Sequence, residues 1–135
     1  MLEYIQLLIV AVIVGGMVTF QILFAPLIFI KLPSDIARPF IRKFFPFYYL
    51  YFGLICIGLS VLSYMLIEQA YGVWLLTIFV ITSFGFIVSR QIFMPLANKA
   101  SDQNRQVDFT LHHRITVTIN TIQLILMLVA LWLLR

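Results

Sequence analysis

Charge is what this chain has least of. Only 10% of its 135 residues are Asp, Glu, Lys or Arg, and five of those are acidic. A soluble domain carries about 25%. With 63% hydrophobic residues and a mean hydropathy of +1.08, the polar surface is too small to face water, so lipid is the solvent. Cysteine is nearly absent: Cys56 stands alone in an apolar run, which excludes an internal disulfide and reads as a small buried hydrophobe. HExxH, CxxC, GxSxG and phosphate-binding glycine loops are all missing, so no catalytic residue and no cofactor is assigned and the chain is read as non-enzymatic. A metal site would need Met17, Met94, Cys56 and a histidine to meet, and their depths do not match; the metal question stays open. No apolar stretch carries a carboxylate at depth, which argues against a proton-coupled transporter built on one. No internal repeat or low-complexity tract stands out.

What is present is length. A hydrocarbon core of roughly 30 Å needs about 20 helical residues. Four stretches qualify: about 4–30, 47–67, 73–94 (ending before Pro95) and 111–134. They predict one domain over 1–135, an all-α integral membrane four-helix bundle. Glu3 stands where a signal peptide shows basic residues, so the first stretch is expected to be retained. Lys31, Arg38, Arg42, Lys43, Arg90, Lys99, Arg105 and Arg114 fall on one side, and Arg135 alone falls on the other with Glu3 and Glu68. This asymmetry predicts a multi-pass protein of the cell (inner) membrane with both termini non-cytoplasmic. It also explains the basic pI without nucleic acid.

The connectors differ. EQAYG is a tight turn that makes spans two and three antiparallel neighbours. LPSDIARPFIRKFFP (32–46) reads as a short amphipathic interfacial helix between helices 1 and 2. Pro39 is placed in its first turn, and Arg38, Arg42 and Lys43 turn toward anionic headgroups. NKASDQNRQVDFT (98–110) is expected to be a solvated loop. Ala11, Gly15 and Thr19 form a small-residue face on span one, suited to helix packing or a homo-oligomer.

Polar groups inside the apolar stretches carry the functional reading. His113, Thr116, Asn120 and Gln123 are spaced three, four and three, on one helical face. Counting about 1.5 Å per residue, Gln123 lies near the midplane; Thr19 and Gln21 in span one, and Ser83 and Arg90 in span three, lie in the same half of the bilayer. Tyr48, Tyr49 and Tyr51 open span two there. Amides facing hydrocarbon lack partners, so these groups should turn inward. They predict a pocket open to the cytoplasm, lined by helices one, three and four, that binds or passes a small solute or metal complex. The alternatives are an accessory subunit whose polar layer only fixes helix register, and a haem-binding redox protein.

GGMVTF (15–20), KLP (31–33), FPFYY (45–49), RQIFMP (90–95) and Phe109-x3-His113-x2-Thr116-x3-Asn120 occur in an order that resembles the transmembrane protein 205-like family, whose bacterial members are filed as a domain of unknown function. The resemblance implies a four-helix membrane protein, with the family's His and Asn at His113 and Asn120 and its Thr-Phe pair at Thr19 and Phe20. An animal relative is linked to resistance to platinum drugs. The connection between spans three and four is shorter here than in that relative. LFAPLIF (23–29) faintly resembles the first-helix motif of a haem-pathway oxidase family, but span one lacks that family's histidine.

Overall fold

The computed structural model describes residues 1–135. Four helices, each long and apolar enough to cross a membrane, make up the chain: α1 (Leu2–Lys31), α2 (Ser34–Met65), α3 (Gly72–Asp102) and α4 (Gln106–Leu133). There are no strands. The chain is therefore a multi-pass four-helix bundle. In lipid every backbone N–H and C=O must be paired within the segment, and the helix does this locally.

All four helices begin before or run past their apolar stretches, and in α1, α2 and α3 proline does not end the helix. Pro26 and Pro95 lack an N–H, and each ring would strike the carbonyl four residues back. A π turn absorbs the ring in both cases, over Phe20–Phe24 and Ser89–Phe93. The N–H of Ala25 bonds to the carbonyl of Phe20, and that of Met94 to the carbonyl of Ser89. Span three thus continues past Pro95, contrary to the expected stop, since a widened turn leaves fewer groups unpaired in hydrocarbon than a break does. Likewise the amphipathic stretch is helical but is not a separate element. It runs unbroken into span two, with Pro39 and Pro46 inside the helix. Pro33 caps the start, so Pro39 falls in the second turn rather than the first. Segment 98–110 is also mostly helix, leaving only Gln103–Arg105 as a turn between α3 and α4. Ala97 and Ala100 are buried there and allow the two helices to approach.

The two π turns expose a repeat that the sequence pattern hides. At one constant offset Gly16, Phe24, Pro26 and Leu27 of α1 match Gly85, Phe93, Pro95 and Leu96 of α3. The inner faces agree as well. Gln6, Val10, Ile13, Val14, Met17 and Phe20 are buried in α1; Leu75, Phe79, Thr82, Ser83, Phe86 and Ser89 are buried at the same offset in α3. One crossing, α2, separates these helices, so they run the same way through the bilayer. Few other positions are identical, since hydrocarbon accepts any apolar side chain on the outer face; the register of the buried face is what the two helices share.

Packing is unequal. α2 lies closely on α3, and α4 contacts α3 along its length, whereas α1 leans on α4 and touches α2 sparsely. Aromatic rings fill the gap between α1 and α2. Phe20 stacks on Phe44 at 5.1 Å and meets Tyr48 at 5.0 Å between centroids, and Tyr48 continues to Phe52 at 4.8 Å. Gly16 admits this wedge, since a Cβ there would lie 3.0 Å from the ring tip of Phe52. Ala11, Gly15 and Thr19 take no part. All three are exposed, and a Cβ on Gly15 would meet nothing within 4 Å. The small face of α1 is not used inside the bundle, because its opposite face already carries the buried row.

Candidate functional site

In the half of the bundle that carries eight of the nine basic residues, polar side chains tie different helices together. The Tyr48 hydroxyl on α2 donates to Asn120 Oδ1 on α4 at 3.3 Å. Arg90 Nε on α3 donates to the Pro46 carbonyl on α2 at 3.1 Å. Gln123 Nε2 on α4 donates to the Thr82 carbonyl on α3 at 2.8 Å. Gly85 makes the last bond possible, for a Cβ there would sit 2.8 Å from that same Nε2. At the helix ends Arg42 grips Asp102 through two bonds of 2.6 and 2.7 Å. Arg42 is therefore engaged with a carboxylate on α3, while Arg38 and Lys43 are exposed. Both members of that pair are about half exposed. Such pairs contribute about 0–1 kcal/mol, so Arg42→Ala is expected to leave thermal unfolding almost unchanged.

Of the other residues singled out from the sequence, Ser83 and Thr116 satisfy themselves locally. Ser83 donates to the Phe79 carbonyl at 2.7 Å, and Thr116 to the His113 carbonyl at 2.8 Å. Thr19 faces outward, and His113 is exposed and stacked on Phe109 at 5.9 Å. Gln21 lies within the α1 π turn, half-buried. Arg90 occupies the equivalent position in the α3 π turn, five residues before its proline.

A second group of atoms is buried without any partner: Gln21 Nε2, Thr82 Oγ1, Ser89 Oγ, His112 Nδ1 and Gln123 Oε1. They sit on α1, α3 and α4 and none is on α2. Thr82, Ser89 and His112 were missed from sequence. Thr82 and Ser89 are seven residues apart, so one side of α3 presents both. His112, rather than His113, turns toward α3, with its ring 6.4 Å from that of Phe93. The available signal was a period: 112, 116, 119 and 123 follow the buried stripe that 127 and 130 continue.

Two of the molecule's cavities lie elsewhere. One, of about 110 Å³, is a cleft between α2 and α3 lined by Tyr49, Gly53, Phe86 and Arg90 among others. The other, of about 230 Å³, opens at the end that carries both termini. No three His, Cys, Asp or Glu side chains converge as a metal site would require.

Neither a curated protein nor a solved structure matches this chain. A match does come from the family described as Domain of unknown function (DUF4149), over residues 8–106, from the first turns of α1 to the start of α4. That span covers most of the chain and takes in both π turns and the aromatic wedge, and the protein belongs to this family.

Proposed function

We propose that this protein binds, and passes, a small polar solute through the layer between α1, α3 and α4 in the basic half of the bundle. The supporting observation is the set of five buried polar atoms without partners, all on those three helices. Leaving one such atom unpaired costs about 1–3 kcal/mol, and sites of this kind are where water or a polar ligand completes the bonding. Gln123 offers an acceptor and Gln21 a donor, while Arg90, bonded to the Pro46 carbonyl on the α2 side, biases this half of the bundle toward an anion. The resemblance to the transmembrane protein 205-like family, with its link to platinum drugs, puts metal complexes among the candidate solutes. We assign the basic end to the cytoplasm and both termini to the other side of the inner membrane, following the charge asymmetry. The unused Ala11, Gly15 and Thr19 face is the surface we assign to self-association.

The reading is tested by thiol access. In a Cys56→Ala background, Ser89→Cys is expected to react with a membrane-impermeant methanethiosulfonate reagent added from the cytoplasmic side. Its rate should be at least tenfold that of a cysteine at lipid-facing Val80. If Ser89→Cys stays as inert as Val80→Cys, the layer is dry and solute binding there is wrong.

A second reading is an accessory subunit, favoured by the bonds Tyr48–Asn120, Gln123–Thr82 and Arg90–Pro46, each of which joins two helices. Asn120→Ala separates the two. Loss of solute handling with an unchanged unfolding midpoint supports the pocket; a destabilised bundle with no solute phenotype supports the scaffold.

A further inference from the structure

Independently of that reading, we propose a second site at the end of the bundle carrying both termini, for a small zwitterion whose primary ammonium and anionic group lie a few bonds apart. The first turn of α1, the last turns of α2 and α4 and the 66–72 turn enclose the cavity of about 230 Å³ found there. Taking about 30 Å³ for a water in the liquid, this is room for a headgroup-sized solute rather than a drug-sized one.

Its floor is polar. Gln6 on α1 and Ser63 on α2 are each 1% exposed, and the Gln6 amide donates to the Ser63 hydroxyl at 2.6 Å. Its walls are leucines: Leu66, Leu75 and Leu133. Both charges that line it, Glu3 and Arg135, are unpaired, since the ion pairs of the molecule are Arg42–Asp102 and Arg105–Asp108. Arg135 is held instead over the Trp132 ring, 4.8 Å from its centroid, a cation–π contact that orients the guanidinium. A cavity bearing one unpaired charge of each sign leaves a singly charged ligand half matched. A dipolar one satisfies both, and apolar walls strengthen the field it meets.

The turn that completes the wall is built under constraint. Tyr71 adopts φ 64°, a conformation uncommon for a bulky residue, and Gly72 has no room for a Cβ. Backbone strain of this kind concentrates at ligand clamps. The same chemistry is offered by a phosphatidylethanolamine headgroup in the membrane and by a free zwitterion in solution.

The experiment has two arms, run on the full chain and on Glu3→Gln and Arg135→Gln, exposed-rim changes that leave the core intact. In phosphatidylglycerol nanodiscs, glycerophosphoethanolamine is titrated calorimetrically. Saturable binding weakened at least tenfold by both substitutions supports the site with a free zwitterion as its ligand. In the second arm the thermal midpoint is compared between phosphatidylglycerol nanodiscs and a three-to-seven phosphatidylethanolamine mixture. A rise of several degrees that both substitutions abolish supports the site with the lipid headgroup as its ligand. No effect in either arm, or effects that survive both substitutions, overturns the proposal.

Discussion

Phe86→Ala is expected to destabilise the bundle by about 2–4 kcal/mol, at and below the lower end of the range for buried aromatic truncations in water. The side chain is completely buried. Its ring stacks on Phe52 at 5.9 Å and reaches Tyr49 at 6.3 Å and Tyr48 at 6.5 Å. Gly53 brings the α2 backbone against its Cβ. Lipid is as apolar as the protein interior, so the water-exclusion part of the loss is small. What remains is the dispersion energy of contacts that no neighbour can restore across a gap. Denaturant unfolding in mixed micelles measures it, with Phe84→Ala as the control. Phe84 lies on the same helix, is 66% exposed to the lipid side, and should lose less than about 1 kcal/mol because acyl chains refill the space. Equal losses at the two positions would mean that Phe86 is not a core residue.

Gly72→Ala is the second large effect. A Cβ at this position would lie 2.6 Å from the carbonyl oxygens of both Leu66 and Ile67. These are backbone atoms fixed by the end of α2, so the turn between α2 and α3 must open. Overpacking against atoms that cannot rotate away costs about 1–3 kcal/mol, and the upper end is expected because two carbonyls are struck at once. The neighbouring substitution has the opposite sign. Tyr71 holds φ 64°, and glycine adopts that angle freely, so Tyr71→Gly is expected to be neutral or to stabilise slightly despite the entropy glycine loses on folding. A thermal midpoint that falls for Gly72→Ala and holds for Tyr71→Gly checks both. If the two fall together, side-chain packing of Tyr71 rather than backbone geometry governs the turn.

The inner row of α1 shows why some features were legible in the sequence and others were not. An apolar run long enough to cross hydrocarbon is visible residue by residue, and so is the clustering of Arg and Lys at its ends. The tight EQAYG turn was equally plain, and α2 and α3 are close antiparallel neighbours. Proline misled, because its helix-ending role belongs to water, where a broken backbone finds other partners. The small face of α1 is not used within the bundle: spacing identifies a face but does not say which helix, of this chain or of a second copy, lies against it. His112 and His113 could be told apart only by the phase of the buried stripe on α4. Gln6 and Ser63 are 57 positions apart, and nothing local announces that they meet.

The sequence by itself determined that this chain lives in a bilayer as four helices, because hydrogen-bond satisfaction in hydrocarbon and the length of its apolar runs leave no other solution. Tertiary structure decided the rest. It chose α4 rather than α2 as the close neighbour of α1, filled the space between α1 and α2 with rings, and gathered unpaired polar atoms on three helices. It also opened a charged cavity at the end that carries the termini. These outcomes depend on helix rotation and register, which follow from how side chains interlock across interfaces; a period along the chain marks a buried face but not the residues that it meets.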